Sequence, residues 1–236
     1  MKRAIQGAAQ FLPAGRIATP LQMADEPVVK KAEIEAVYER LGYKLGWTFI
    51  SCPWEFRRSS KLLMVSLNPG GRRFEPCMWS QERGSAYRVE AWLGRKPGEG
   101  PLQQQILKMY EMLGLRDEEV FSAKYVPFRS PDWGSLQYKE EAIKFSDSLW
   151  RWLLPHVQFE QIVCIGKGVP AKAMQRLLHA ELEASIEVGW GSYAADRYRL
   201  PDGRRMIALP HLSRFPLFGR HESERGLNEL FETHVH

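Results

Sequence analysis

Cysteine is scarce in this chain, and its three copies, Cys52, Cys77 and Cys164, stand far apart. Without a CxxC pair there is no evident ligand set for a zinc or iron–sulfur centre. An odd, scattered cysteine count reads as reduced thiols in a cytoplasmic protein. No run approaches the roughly 20 apolar residues of a membrane span. The opening Met-Lys-Arg-Ala-Ile-Gln-Gly has no apolar signal core. Internal repeats and low-complexity tracts are missing, and no Pro/Gly/Ser linker divides the chain, so one large domain is expected rather than two small ones. Charge of one sign is in only mild excess: 33 Lys and Arg against 28 Asp and Glu, a net +5. Such a balance allows a polyanionic partner without demanding one. These absences predict a cytoplasmic protein with no metal centre and no membrane span; no cofactor and a monomer are further expectations.

What is present is ordinary globular material, 44% hydrophobic and 26% charged over 236 residues. Residues 1–27 hold Pro13, Pro20 and Pro27 with little periodicity, and read as an extended arm or a loosely packed lead-in before a single domain over 28–236. Helical spacing appears over 28–42, 101–113 and 135–154, and a polar helix over 221–233. Residues 61–67 form a continuous apolar run, as expected of a strand buried on both faces. Further strands are predicted over 120–126 and 162–165, the latter running through Gly166 and Gly168 into a helix. Residues 195–200 and 205–209 flank Pro-Asp-Gly as a hairpin. Strands alternating with helices predict an α/β fold: three layers, α/β/α, around a mostly parallel sheet of about four strands.

In such sheets ligands bind beyond the carboxyl ends of the strands. Four loops fall there. The first is Asn68-Pro69-Gly70-Gly71-Arg72-Arg73; the second runs Pro127-Phe128-Arg129-Ser130-Pro131; the third is Gly166-Lys167-Gly168; the last runs Pro210-His211-Leu212-Ser213-Arg214-Phe215-Pro216. Gly70, Gly71, Arg72, Arg73, Arg129, Ser130, Lys167, Ser213 and Arg214 suit contact with phosphates. Taken singly, each loop has a plainer reading. Asn-Pro-Gly-Gly is a turn, a lone His is a satisfied polar residue, and Gly-Lys-Gly lacks the pattern of a P-loop.

Together and in order, "SLNPGG" after a first buried strand and "PHLSRFPLFGR" after a late one resemble the two signature loops of the uracil-DNA glycosylase superfamily, in its mismatch-specific and single-strand-selective branches. The likeness spans roughly residues 60–220. It implies an enzyme that flips a uracil or modified pyrimidine out of double- or single-stranded DNA and hydrolyses its glycosidic bond, in repair or in defence against base-modified foreign DNA. By that resemblance Asn68 holds the attacking water and His211 stabilises the departing base. Arg214, Phe215 and Leu217 are the wedge candidates that fill the gap. An aromatic past the first loop would stack on the base: Trp79, eleven residues on, or Phe74, six on. Phe128 is a further base-facing candidate.

One position departs from the pattern. Where members often carry an Asn reading the base edge, this chain has Lys124 in "SAKYVPFRSP". Lysine only donates, so it cannot pair with an edge that offers both donor and acceptor. A larger or modified pyrimidine, a reading by Tyr125 or Arg129 instead, or an imine-forming Lys124 all fit this departure. Two other classes stay open: a catalytically silent nucleic-acid-binding module on the same fold, and a hydrolase of small nucleosides.

Overall fold

The computed structural model describes the backbone of residues 20–232 and the side chains of residues 27–232. Four strands make its centre: β2 (Leu62–Ser66), β4 (Val120–Lys124), β5 (Gln161–Ile165) and β8 (Arg205–Leu209). They lie in the order β4-β2-β5-β8 and every neighbouring pair is parallel. Their residues explain the arrangement. Leu63, Val65, Phe121, Ala123, Ile162 and Cys164 turn to one core, while Leu62, Met64, Val120, Val163 and Ile165 turn to another. A strand buried on both faces must be apolar at every position, which is why these segments read as unbroken runs.

Helices close both faces. On the first, Ile34 of α1 (Pro20–Arg40), Leu149, Trp150 and Leu153 of α4 (Lys139–Leu153) and Met174 of α5 (Val169–Leu178) pack into the sheet. On the second lie Tyr87 of α2 (Ala86–Val89), Ile106, Met109 and Tyr110 of α3 (Pro101–Met112), and Leu227 and Leu230 of α6 (His221–Phe231).

The strand count needs correction. The sheet is mixed and has eight strands, in the order β3-β1-β4-β2-β5-β8-β7-β6. On one flank β1 (Thr48–Ile50) runs antiparallel to β4 and carries β3 (Met78–Ser80) parallel to itself. On the other, β7 (Tyr193–Arg199) and β6 (Glu181–Trp190) continue from β8 as an antiparallel meander. At three residues, β1 and β3 are too short to show a period. In contrast β6 carries an open period of two, with Leu182, Ala184, Ile186 and Val188 alternating against Glu181, Glu183, Ser185 and Glu187, and the sequence reading passed over it.

The lead-in is also corrected. Its described part, from Pro20, belongs to a helix that runs through Pro27 to Arg40, so it is not an extended arm. Residues 1–19 of the expected arm lie outside the described residues. No helix among the described residues is long and apolar enough to cross a membrane. The three thiols are free, and burial pushes Cys52 up to about 12 and raises Cys164 as well, so neither is a ready nucleophile.

Candidate active site

Strand order reverses at β2. From its carboxyl end the chain crosses to β4 on one side, and the next parallel strand, β5, returns on the other. Loops therefore part above β2 and β5 and leave a crevice. Asn68 stands there, two residues beyond Ser66. Ser66 is in register with Ile165, and Ile165 with Leu209. His211 lies two residues beyond Leu209. The two side chains thus rise from the same level of the same edge, on strands two places apart. At about 4.8 Å per strand, their backbones stand about 10 Å apart.

The Asn68 amide is held by the loop that follows β4. Its Nδ2 donates to Ser130 Oγ at 2.8 Å, to the Phe128 carbonyl at 3.1 Å and to the Pro69 carbonyl at 3.3 Å. Carbonyls only accept, and the single Ser130 hydroxyl proton goes to the Asp132 carbonyl at 2.8 Å. The amide nitrogen must therefore face these three acceptors. Among the described residues none donates to its Oδ1, so what Asn68 presents is an acceptor.

Backbone bonds zip the two loops together: Tyr125 N to Ser66 O, Val126 N to Leu67 O, Ser130 N to Pro69 O and Gly71 N to Ser130 O. Arg129, buried, donates to the Gly70 carbonyl and pairs with Glu75 at 2.6 Å. Gly71 has φ of 141°, and a β-carbon there would sit 3.2 Å from the Arg129 guanidinium. Gly46 lets the far end of this loop close, since a β-carbon on it would collide with the Glu75 carbonyl.

His211 opens a tight turn in which its carbonyl accepts from Arg214 N at 2.9 Å and Phe215 N at 3.1 Å. Leu212, Leu217 and Phe218 anchor the turn in the core. Gln105 of α3 fastens its end through both backbone groups of Phe218, at 3.0 and 2.9 Å. Ser213 fixes the imidazole. Its Oγ lies 2.8 Å from Nδ1 and its backbone N–H donates to Nδ1 at 3.4 Å. An amide N–H cannot accept, so Nδ1 is the acceptor and the neutral ring carries its proton on Nε2.

Three effects lower the His211 pKa: partial desolvation, which is the largest, then the positive charges of Arg214 and Lys124. Desolvation is the weaker argument for a residue this exposed, but both charges push the same way, against a smaller opposing backbone hydrogen bond. The ring is neutral at pH 7. The unfolded chain keeps its proton up to about 6.5. Acidification from there destabilises the fold until the lowered folded pKa is passed, and no further below it. In a proton-detected titration the His211 inflection is expected below 6.5, and Lys124→Met should move it up by removing one of the two repelling charges.

Lys124 ends β4, in register with Ser66. It is 9% exposed, and its Nζ lies 3.0 Å from Ser66 Oγ, 3.4 Å from Tyr87 Oη and 5.5 Å from the Tyr87 ring centre. No carboxylate among the described residues pairs with it.

The other sequence candidates divide. Arg72, Arg73 and Arg214 are exposed at the rim, without an ion pair among the described residues. Phe74 is 64% exposed on the Asn68 loop. Gly70 is exposed and forms a parallel bridge with Ser130. The rest have other work. Phe128 is fully buried against Tyr38, Tyr43 and Phe145, and contributes its carbonyl rather than its ring. Trp79 lies on β3, outside β1 and β4 in the sheet, and packs among Phe49, Trp54 and Trp152 in the first core rather than facing the crevice. Leu217 is fully buried and cannot be a wedge without leaving the core. Phe215 is half-buried, 4.3 Å from the Tyr193 ring. Lys167 is paired with Asp196 at 2.7 Å. Arg129 and Ser130 hold the Asn68 loop and Ser213 holds His211, so none of the three is a free phosphate contact.

Sequence reasoning missed Ser66, Tyr87 and Leu93. Leu93 is 86% exposed at φ 56°, beside Trp92, which packs on Tyr87. Its only sequence signal was the following Gly94; Ser66 and Tyr87 gave none.

No family model matches the chain, and no curated protein matches it.

Proposed function

We infer that this chain is a DNA glycosylase that hydrolyses the N-glycosidic bond of a pyrimidine turned out of the strand, leaving an abasic site. One observation carries the reading. An acceptor-only amide oxygen at Asn68 and an imidazole held as a neutral Nε2–H donor at His211 rise from one edge, at the same level and on strands two places apart. Breaking this bond builds positive charge on the sugar and negative charge on the base. A water donating one proton to Asn68 Oδ1 turns a lone pair toward the sugar carbon. A neutral donor fixed at His211 stabilises an oxygen of the leaving base, more strongly where water is excluded. The resemblance of the two loops to the uracil-DNA glycosylase superfamily supports the same assignment.

A base leaves the stack at a cost of a few kcal/mol, recovered by the pocket and by whatever fills the gap. Phe74, exposed on the Asn68 loop, and Leu93, exposed next to the Trp92 that packs on Tyr87, suit that filling better than the buried Leu217. Arg72, Arg73 and Arg214, exposed and without an ion pair among the described residues, suit the backbone phosphates, which favours a polymer over free nucleosides. Each phosphate contact releases counterions, so log K should fall with log salt by about 0.7–0.9 per contact. Replacing these three arginines by alanine is expected to flatten the slope by about 2–3 units, read by anisotropy between low and physiological salt.

The deciding experiment is abasic-site scoring on oligonucleotides that each carry one non-standard pyrimidine. Release that Asn68→Ala and His211→Ala each slow by about 10²-fold or more, with DNA binding kept, supports the enzyme. Binding without release from any base supports a silent DNA reader, and cleavage of free nucleosides alone a nucleoside hydrolase.

A further inference from the structure

Lys124 is a buried cation without a counter-charge. Its ammonium lies 3.0 Å from Ser66 Oγ and 3.4 Å from Tyr87 Oη, with the Tyr87 ring below it, and no carboxylate among the described residues answers it. Hydroxyls and a ring face only partly replace the water that burial removed. A buried charge is normally paired or neutralised. These partners account for at most two of the three ammonium protons. Lys124 also sits at the crevice: it ends β4 at the level of Ser66, two residues below Asn68 on the neighbouring strand. Its charge also acts on His211. Met in its place would be simpler for folding, so the arrangement fits a ligand that brings the missing negative charge.

We propose that Lys124, with Ser66 and Tyr87 holding its ammonium, is the receptor for a pyrimidine anion, the form in which the base departs. This deepens the glycosylase reading and rests on it for the identity of the ligand. The C1′–N1 bond breaks and its electron pair stays on the ring, shared among N1 and the ring oxygens. The water oxygen bonds C1′, and the proton it sheds ends on the released ring or in solvent. His211, neutral, donates to one oxygen of the anion without giving up its proton. Lys124 supplies full positive charge at the opposite end of the ring. Two groups thereby share one negative charge, the imidazole as a dipole and the ammonium as an ion. The positive charge also accounts for a donor-only residue at this place. What must be recognised is an electron-rich edge, for which donors alone suffice.

The test has two arms, both with the full chain. In the first, 5-nitrouracil, an anion at neutral pH, and uncharged uracil are titrated as free bases by calorimetry. The wild type is expected to bind the anion at least about tenfold tighter, Lys124→Arg to keep that preference, and Lys124→Met to lose it. Equal affinities in the wild type, or an unchanged preference in Lys124→Met, overturn the proposal. In the second, release is timed from oligonucleotides carrying 5-fluorouracil, uracil or thymine, in order of worsening leaving group. Lys124→Met should slow the poor leaving groups on the order of 10²-fold, the scale of one lost anion donor, and 5-fluorouracil by less than about tenfold. An equal slowing across the series marks a merely structural lysine and overturns the proposal. If the anion preference holds while no oligonucleotide releases a base, the receptor stands and the glycosylase reading falls.

Discussion

Replacing Asn68 by Asp is expected to lower activity and stability together, although a carboxylate is the stronger base. The amide nitrogen faces two carbonyl oxygens and a hydroxyl whose proton is already engaged. A carboxylate oxygen there would meet acceptors only. The loop would either expel the side chain or keep an unsatisfied, repelled charge, at about 1–3 kcal/mol by the scale of a lost buried partner. Misplacing a group by about 1 Å costs on the order of 10²-fold in rate, so turnover should drop at least that far. Asn68→Ala should lose a similar factor through the absent water holder. The two variants separate by thermal unfolding across pH. Asp gains stability as pH falls, because protonation supplies a donor, and Ala does not. If Asn68→Asp turns over faster than the wild type at neutral pH, the amide nitrogen does not face those three acceptors during turnover.

His211→Ala is expected to slow base release about 10²–10³-fold, the usual effect of removing one donor from a developing anion. Its side chain is exposed and is hydrogen-bonded to Ser213 of its own turn, so the melting temperature should hardly change. DNA affinity should also hold, because the side chains proposed for phosphate contact, Arg72, Arg73 and Arg214, are all kept. The informative companion is Ser213→Ala. It removes the hydroxyl from Nδ1 but keeps the backbone N–H, so the tautomer is retained and the ring is merely looser. A loss well short of that in His211→Ala is expected in single-turnover kinetics. Should His211→Ala leave the rate unchanged, the imidazole has no part in bond breaking.

The glycosylase resemblance placed Trp79 and Leu217 by spacing along the chain, and three-dimensional packing redirected both. Trp79 sits on an edge strand whose three residues gave no periodic signal, and that strand runs beside β1, away from the crevice. Leu217 was read by its neighbours in a polar loop. The loop is short and must be pinned somewhere, and Leu217 is one of the pins. Phe128 shows the same limit, since a ring one residue from a site-forming loop can still face inward and leave its carbonyl to act.

By itself the sequence determined the four central strands, the helices that follow them and the level at which Asn68 and His211 stand. These follow from local physics: runs of apolar side chains, Pro and Gly at turns, and the rule that parallel strands put their loops at one edge. The tertiary structure alone decided which way each polar group faces. The Asn68 amide is oriented by residues 60 and 62 positions away, and Lys124 is met by hydroxyls 58 and 37 positions away. Hydrogen bonds act over about 3 Å of space whatever the separation along the chain, so their direction is settled only when the distant partner arrives.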